Sequence, residues 1–397
     1  MVTKSMSTKT TLYALGSNGS FQLGIGHDND VSSPQKCGFA ADIGNKTMDH
    51  VPLAVDDGER IRKIVAGGNH TLLLTTGGCA WATGSNEVGQ CGWTAPGPDQ
   101  VSADTVAGKW RRVQRNRPSQ GETCKFTDVA ATWTASYFVV DDQIIYSCGR
   151  GEKGELGIGP GNNDGLTPTR SFDLRDFEPG VPRAKIETIS GCMNHIVVLS
   201  SSGKLYGWGA CRKGQLGENL KNEKVIWLPK MLDTGLQWRP RQVVTGREFT
   251  FVVGERFEQQ CFLGDADRAG FGTPIVLEDQ WQQDFEIYAG WTHIVVRVGD
   301  GSLRGFGRNL RGQLLGRTLD DSMARFVMGS EHSLAATCNG TAIAWGWGEH
   351  GNCGSEVDEK KDVVGRYNTL FSTGQTARVA GVGAGCATSF FWVEGSS

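Results

Sequence analysis

The sequence has no long apolar run, no signal-like amino terminus and no closely paired cysteines, and each absence excludes a class of protein. Because no apolar stretch approaches about 18 residues, we expect no membrane-spanning helix. The first residues, MVTKSMSTKTTLYALG, have no apolar core, so we expect no secretory signal. The 11 cysteines include no C-x-x-C pair, which excludes zinc-ribbon and thioredoxin-type sites and favours a reducing cytoplasmic or nuclear compartment.

The chain also has little excess charge, with a formal net charge of −3. Binding to nucleic acid through phosphate neutralisation needs a concentrated basic face. The densest basic stretch, at 109–117, is short, and we interpret it as a solvated loop. We therefore expect no direct nucleic-acid binding.

Motifs of catalysis are missing as well, since neither H-E-x-x-H nor G-x-S-x-G occurs. Two turns, at 149–154 and 346–351, match G-x-G-x-x-G, but a nucleotide site needs a helix after that turn, and both lie in β-rich repeats. The acidic pairs Asp56-Asp57 and Asp141-Asp142 lie at expected turns. We therefore predict that the chain is not an enzyme and holds no catalytic residue, cofactor or metal.

Glycine, in contrast, is abundant, with 56 residues, and it recurs in turns of one type. Seven Gly-rich turns follow strand-like stretches, at 15–24, 83–92, 148–157, 208–217, 263–272, 306–316 and 345–354. Self-similarity at a period of about 40 to 50 residues is typical of propellers and solenoids.

A second motif, here called the marker, precedes each turn and combines a small residue, Gly, two variable residues and often His. Its copies are 66–70, 131–135, 190–195, 245–249, 289–293, 328–332 and 384–388. His70, His195, His293 and His332 are each 14 residues before the Gly of the following turn. An alternating apolar stretch and a hairpin turn fill that interval, so one β-hairpin of fixed length is being reused.

The two ends of the chain supply complementary halves of one repeat. The amino terminus opens with a strand and turn but no marker, and the carboxyl terminus ends with a marker and strand but no turn. Joining the halves closes a ring and removes exposed strand edges. We therefore predict an all-β fold, a single seven-bladed propeller over 1–397 with its core at 12–393, in which the two terminal strands share one blade.

Four long polar intervals separate the repeats, near 36–60, 94–125, 158–185 and 218–240. They are too short to be domains, and we expect them to form loops on the rims of the ring.

The marker and turn together resemble the regulator-of-chromosome-condensation type of repeat over residues 12–393, and the resemblance implies a seven-bladed propeller. The stretches at 13–35, 67–70, 329–332, 345–354 and 385–389 further resemble the fungal alpha-tubulin suppressor (killer-toxin-insensitivity) family. That narrower resemblance implies a heterodimer with a small CSL-type metal-binding diphthamide-biosynthesis protein. It also implies support of diphthamide biosynthesis and, indirectly, of Elongator-dependent modification of wobble uridines in tRNA.

Residues that break the repeat are the candidates for partner binding, because large aromatics beside fixed charges are typical of protein–protein anchors. The eight candidates are His27, Asp28, Trp133, Trp291, Glu331, Trp347, Glu349 and His350. All of them except the tryptophans at 133 and 291 are expected to form one patch where the ring closes. The alternative is that each is packed against a neighbouring blade. For the four marker histidines we predict a buried, structural role, with hydrogen bonds to neighbouring backbone.

Three functions remain open at this stage. The first is a non-catalytic regulatory subunit that binds a small metal-carrying protein. The second is a guanine-nucleotide exchange factor for a small GTPase, which is the activity of the founding member of the repeat family. The third is an adaptor of the kind found in ubiquitin ligases or membrane traffic.

Overall fold

A computed structural model of the chain describes residues 8–40, 59–93, 108–113, 125–271, 275–277, 282–315, 323–372, 374 and 377–396. These residues form 26 β-strands, two four-residue α-helices and one 3-10 helix. The alternating β-branched and aromatic runs of the sequence account for the strands, and the glycines account for the tight turns between them. The predicted all-β class is confirmed.

The strands form six sheets, and the eight-stranded one divides at its single parallel pair into two groups, which gives seven groups with antiparallel pairing inside each. Group 1 contains β1 (Thr8–Gly16) and β2 (Val31–Lys36) together with the last two strands of the chain. Group 2 is β3 (Ile61–Ala66), β4 (His70–Thr75), β5 (Ala80–Gly84) and β6 (Arg111–Arg112). Group 3 is β7 (Phe126–Ala131), β8 (Ala135–Val140), β9 (Ile144–Arg150) and β10 (Asp164–Asp173), followed by helix α1 (Leu174–Phe177).

Groups 4 to 7 repeat the order, with some shortening. Group 4 is β11 (Ile186–Cys192), β12 (His195–Ser200), β13 (Leu205–Ala210) and β14 (Val225–Met231), with a 3-10 helix at Glu218–Glu223. Group 5 is β15 (Gln242–Thr245), β16 (Phe249–Val253) and β17 (Gln260–Gly264), followed by α2 (Ala266–Ala269). Group 6 is β18 (Phe285–Ala289), β19 (His293–Val298) and β20 (Leu303–Gly307). Group 7 is β21 (Met323–Met328), β22 (His332–Thr337), β23 (Ala342–Trp347) and β24 (Asp362–Phe371). The last two strands, β25 (Ala377–Ala384) and β26 (Thr388–Ser396), complete group 1. Groups 5 and 6 have only three described strands, so a count of seven complete blades stays a prediction.

The two ends of the chain meet in one sheet. Strand β1 pairs antiparallel with β26, from Thr8 opposite Ser396 to Gly16 opposite Thr388. In the same sheet β25 touches β3 of group 2 through one parallel pair, Ala384 with Val65. The predicted closure by amino- and carboxyl-terminal strands is therefore confirmed.

The core lies between the sheets, because each sheet has another sheet on both faces. The second strand of a group is accordingly buried along its whole length, as in β4, β12 and β22. Large aromatics fill the gaps between groups, and two tryptophans form hydrogen bonds there. Trp208 Nε1 donates to the carbonyl oxygen of Glu155 over 2.7 Å. Trp345 Nε1 does the same to Gln313 over 3.0 Å.

In two of the Gly-rich turns the last glycine lies against a tryptophan of a neighbouring strand group. Gly24 has a φ of +69°, and a Cβ there would lie 2.4 Å from the indole of Trp110. Gly157 has the same φ, and its Cβ would lie 2.9 Å from Trp208. At these two positions glycine is thus required both by the backbone conformation and by the close approach.

Two of the four predicted rim loops contain regular structure instead. Strand β10 and helix α1 lie within 158–185, and the 3-10 helix and β14 lie within 218–240. These outer strands have mixed polar and apolar side chains because they cover only the rim, so they show no clean alternation. Most of the other two intervals, 36–60 and 94–125, lies outside the described residues.

Candidate functional site

The strand order places the markers and the Gly-rich turns on the same face of the ring. The first strand of each group runs into the marker, the second runs back, and the third returns to the Gly-rich turn. Backbone hydrogen bonds join the two loops of a group, as from Trp347 N to Glu331 O over 2.9 Å and from Ala210 N to Asn194 O over 2.7 Å. We call this side the marker face, and all eight predicted site residues lie on it.

The four marker histidines are buried, and three of them form hydrogen bonds between neighbouring groups, whereas the ring nitrogens of His293 have no hydrogen-bond partner among the described residues. Nε2 of His70 lies 2.8 Å from the hydroxyl oxygen of Ser136, and Nε2 of His195 lies 3.1 Å from that of Thr250. Nε2 of His332 lies 3.0 Å from the hydroxyl oxygen of Ser389. The predicted backbone partner is thus replaced at Nε2 by a side-chain hydroxyl of the next group.

Burial controls the charge of these histidines. It lowers the pKa of His70, His195 and His332 to about 4 and that of His293 to about 3. They are therefore neutral at physiological pH and separated into different strand groups. Their position between sheets supports a structural role rather than catalysis or metal binding.

Trp133 and Trp291 meet at the centre of the marker face, although they come from groups 3 and 6. Their ring centroids lie 6.1 Å apart, and 37% of Trp133 is exposed. The guanidinium of Arg247 lies 5.5 Å from the ring centroid of Trp291, a cation–π distance. The backbone of each tryptophan is hydrogen bonded to a neighbouring marker. Trp133 N donates to Met193 O, and Trp291 N donates to Ser330 O, both over 2.9 Å.

A cavity of about 230 Å³ lies along the ring axis beside this aromatic pair. The first strand of every group contributes to its wall, and both tryptophans line it. The indoles therefore stand at the junction between the axial cavity and the marker face, where a fixed apolar surface is exposed.

The other six predicted residues form what we call the closure patch: His27, Asp28, Glu331, Trp347, Glu349 and His350. Its centre is compact, since Trp347 and His350 pack edge to face at 5.4 Å and Trp347 Nε1 donates to Glu349 Oε2 over 3.1 Å. Nδ1 of His350 lies 2.7 Å from Oδ2 of Asp30, which joins the last Gly-rich turn to the first. The structure therefore brings the two turns together as the closed ring requires.

The remaining members surround this centre. Glu331 faces Arg311 at 3.8 Å, and its main chain holds Trp347. His27 Nε2 lies 3.0 Å from Gln35 Oε1, so its contact is with β2 rather than with the last turn. Asp28 is exposed beside it.

Sequence reasoning missed three charged residues of this face. Asp30 ends the run His-Asp-Asn-Asp after the first turn, and Arg247 occupies a variable marker position. Arg311 lies in the sixth Gly-rich turn and bridges two carboxylates. It lies 3.8 Å from Glu331 and 3.3 Å from the buried Asp362. Arg247 could have been identified in the same way as Trp133 and Trp291, because it too differs from the residues at the variable positions of the other markers.

The described residues contain no group of three or more His, Cys, Asp or Glu side chains arranged to hold a metal ion. Both G-x-G-x-x-G segments lead from a strand into a turn, with no helix after them. Burial raises the pKa of the Cys192 thiol, which lines the axial cavity, to about 12, so it stays protonated at neutral pH. No described helix is both long and apolar enough to cross a membrane.

Comparison with known proteins identifies the repeat. Residues 61–90 and 11–74 match models described as the regulator of chromosome condensation (RCC1) repeat. An RCC1 repeat-containing protein of Schizosaccharomyces pombe is 31% identical over 96% of this chain and 99% of its own length. The mouse protein named secretion-regulating guanine nucleotide exchange factor is 25% identical over 96% of this chain and 84% of its own.

Solved structures share the fold. The crystal structure of Prp20p from Saccharomyces cerevisiae, described with its binding to Gsp1p and histones, has a TM-score of 0.72. It is 20% identical and covers 98% of this chain and 92% of that one. Yeast RCC1 (Prp20) bound to Kap60 has a TM-score of 0.74 at 20% identity, over 98% and 90% of the two chains.

These findings contradict two predictions. The chain was expected not to be an enzyme, whereas relatives from mouse and cattle that match 96% and 89% of it are named as guanine nucleotide exchange factors, which are catalysts. The expected partner, a CSL-type metal-binding protein, is contradicted because the structural neighbours are described with Gsp1p, histones and Kap60. Roles in diphthamide biosynthesis and Elongator-dependent tRNA modification find no support in these relatives.

The narrower resemblance to the alpha-tubulin suppressor family stays a prediction from the sequence. The broader one has independent support in the repeat models, in the 31% identity over 96% of the chain and in the ring of antiparallel strand groups. The chain therefore belongs to the family of RCC1 repeat proteins.

Proposed function

We propose that this chain is a guanine nucleotide exchange factor for a small GTPase and that the marker face binds the GTPase. One observation carries the proposal: the mouse relative that aligns with 96% of the chain is named as such a factor. The alignment leaves out only about 4% of the chain, so it covers most of the markers and Gly-rich turns.

An exchange factor needs no acid, base or metal of its own. It accelerates release by binding the nucleotide-free GTPase more tightly than the nucleotide-bound form. By thermodynamic linkage, if the exchange factor lowers the affinity of the GTPase for nucleotide, then nucleotide lowers the affinity of the GTPase for the exchange factor by the same factor. A rigid ring suits this role, because little conformational entropy is lost when its surface is occupied.

The contact residues in this proposal are the exposed side chains of the marker face. Trp133 and Trp291 supply apolar area with their backbones held by neighbouring markers. The closure patch supplies Glu349, which is exposed and fixed by Trp347. An aromatic centre with charges around it matches the anatomy of protein interfaces.

The location in the proposal is the cytoplasm or the nucleus. The ten described cysteines are free, which is the usual state in a reducing compartment. Small GTPases are encountered in the same compartments, so the location and the proposed partner are compatible.

The test is release of a fluorescent GDP analogue from a panel of purified small GTPases, with a Gsp1-type protein among them. We expect the wild-type chain to accelerate release from one member, and the double variant Trp133→Ala/Trp291→Ala to lose about tenfold or more in that rate. Glu349→Lys should weaken the same activity, because it reverses a charge of the face.

Asp233→Lys is the matched control, since Asp233 is exposed beyond the end of β14 on the opposite side of the ring. It should keep full activity, and circular dichroism should show that all variants are folded. No acceleration of any GTPase by the wild-type chain would refute the exchange activity. Acceleration that survives the double tryptophan variant would refute the placement on the marker face.

A further inference from the structure

The third residue of each marker lies beside the opening of the axial cavity on the marker face. Gly68, Trp133, Cys192, Arg247 and Trp291 occupy this position in groups 2 to 6. Backbone hydrogen bonds join neighbouring members, from Gly68 N to Trp133 O over 2.8 Å and from Arg247 N to Trp291 O over 2.9 Å. Because the main chain is held in this way, the side chains at this position determine what the opening can bind.

The two indoles give the opening an apolar surface. Trp133 and Trp291 approach to 6.1 Å between ring centroids. Gly68 makes room for the first indole, since a Cβ there would lie 2.7 Å from Cε2 of Trp133. The wall of the 230 Å³ cavity includes Met193 and Met328, whose flexible side chains can adapt to an occupant. The opening therefore suits one apolar side chain of a partner.

A positive charge stands beside this apolar surface. Arg247 is exposed, and its guanidinium lies 5.5 Å from the ring centroid of Trp291. Burial raises the pKa of the Cys192 thiol, and the charge of Arg247 opposes that rise. Because Cys192 lines the cavity, the charge of Arg247 is felt inside the opening.

The seven markers contain only two acidic residues, and both face other arginines. Glu248 follows Arg247 in the chain but lies 3.4 Å from Arg268. Glu331 lies 3.8 Å from Arg311. Both of those arginines belong to Gly-rich turns, so the marker carboxylates are engaged away from Arg247 and its positive charge stays beside the indoles.

We propose that this opening, formed by Trp133, Arg247 and Trp291 and here called the axial mouth, binds an acidic turn of the partner protein. One apolar side chain of the turn packs on the indoles at the cavity, and a neighbouring carboxylate pairs with Arg247. The inference rests on the proposed function, which makes that partner a small GTPase bound to the marker face. A guanidinium holds a carboxylate through two parallel hydrogen bonds, and the pair is stronger where the interface excludes water. Arg247 thus selects the partner by charge.

The first measurement is nucleotide release from the GTPase that the wild-type chain accelerates. Arg247→Glu should lower the rate about tenfold or more, because it places a like charge opposite the carboxylate of the partner. Arg247→Lys keeps the charge but not the bidentate geometry, so its rate should fall between those two. Arg256→Glu is the matched control, since Arg256 is an exposed arginine of the same group in the hairpin turn on the opposite side of the ring. It should keep full activity.

The second measurement needs no GTPase. It is fluorescence anisotropy of the labelled peptide Gly-Asp-Phe-Asp-Gly during titration with the full chain, with Gly-Lys-Phe-Lys-Gly and Gly-Asp-Ala-Asp-Gly for comparison. We expect the wild type to bind the first peptide about tenfold more tightly than either of the others. Arg247→Glu should reverse the preference between the acidic and the basic Phe peptide, a change that loss of structure does not produce, whereas Arg256→Glu should bind as the wild type does.

Failure of this inference differs from failure of the exchange activity. No acceleration of any GTPase, together with the expected peptide preference, would refute the exchange activity and support acidic recognition by the axial mouth. Full exchange activity in Arg247→Glu, with loss in Trp133→Ala/Trp291→Ala, would overturn the inference and leave the exchange activity in place. Equal binding of the acidic and basic Phe peptides, or no saturable binding of either, would also overturn it.

Discussion

Nε2 of His195 lies 3.1 Å from the hydroxyl oxygen of Thr250, and that hydroxyl donates to the carbonyl oxygen of Gln215 over 2.7 Å. Because the single hydroxyl proton goes to the carbonyl, Nε2 carries the proton of the neutral imidazole. The threonine thus links the marker of group 4, the Gly-rich turn of group 4 and a strand of group 5. Ser136 and Ser389 are placed in the same way beside His70 and His332.

Thr250→Val should destabilise the fold by about 1–3 kcal/mol, because the shape is retained while a buried imidazole N–H and a carbonyl lose their partner. The measurement is the free energy of unfolding in urea at pH 7.5. Thr169→Val is the control, since Thr169 is exposed on β10, and its effect should stay within about 0.5 kcal/mol. Equal stability of the two variants would contradict a stabilising role for the linkage.

Acid should weaken the ring through the same histidines. Burial lowers the pKa of His70 from 6.5 to about 4, and those of His195 and His332 to the same value. Between these two pH values the unfolded chain binds more protons than the folded one, so stability falls as the pH falls from about 6.5 towards 4. Each of these histidines should lower the free energy of unfolding by on the order of 3 kcal/mol when the pH has fallen to about 4.

The measurement compares urea unfolding of the wild type and His70→Gln at pH 7.5, 5.5 and 4.5. The variant should start less stable at pH 7.5 and lose less on acidification, because glutamine does not titrate. Thr169→Val, at an exposed position without a titratable group, is the control and should keep the wild-type slope. A wild-type slope in His70→Gln would disprove the assignment of acid sensitivity to the markers.

The hairpins, the shared terminal sheet and the closeness of the first and last Gly-rich turns could be predicted, because each depends on a local pattern or on the repeat order. The outer strands β10 and β14 could not, since a strand on the rim need not alternate. The contact between Trp133 and Trp291 was also beyond prediction. It depends on how far two non-adjacent groups stand apart across the ring axis, which no single repeat encodes.

The two glycines Gly24 and Gly26 separate backbone strain from close packing. Both have positive φ, +69° and +89°, but only at Gly24 would a Cβ meet the indole of Trp110, at 2.4 Å. Alanine at either position should lower the free energy of unfolding by about 1 kcal/mol, because its backbone disfavours a positive φ. Gly24→Ala should lose about 1–3 kcal/mol more through overpacking. Urea unfolding of the two variants measures the difference, and equal stabilities would show that the turn yields without cost.

Closure of the ring should be the most sensitive point of the fold to loss of packing. The Phe391 side chain of β26 is fully buried, stacks on Tyr13 of β1 at 5.2 Å and contacts Phe371 of group 7 at 5.4 Å. Phe391→Ala removes a ring of the carboxyl-terminal strand that contacts both the amino-terminal strand and the neighbouring group. We expect a loss of about 3–5 kcal/mol in the free energy of unfolding, the usual cost of such a cavity.

Hydrogen exchange distinguishes closure from general packing in this variant. If the terminal strands hold the ring shut, β1 and β26 should exchange faster in Phe391→Ala while β12 and β13 of group 4 keep their protection, because local opening needs less energy than global unfolding. Leu310→Ala, at an exposed position, is the control and should leave the whole pattern unchanged. Faster exchange spread evenly over all seven groups would mean that the sheets unfold together and that the terminal pairing is no weaker than the rest.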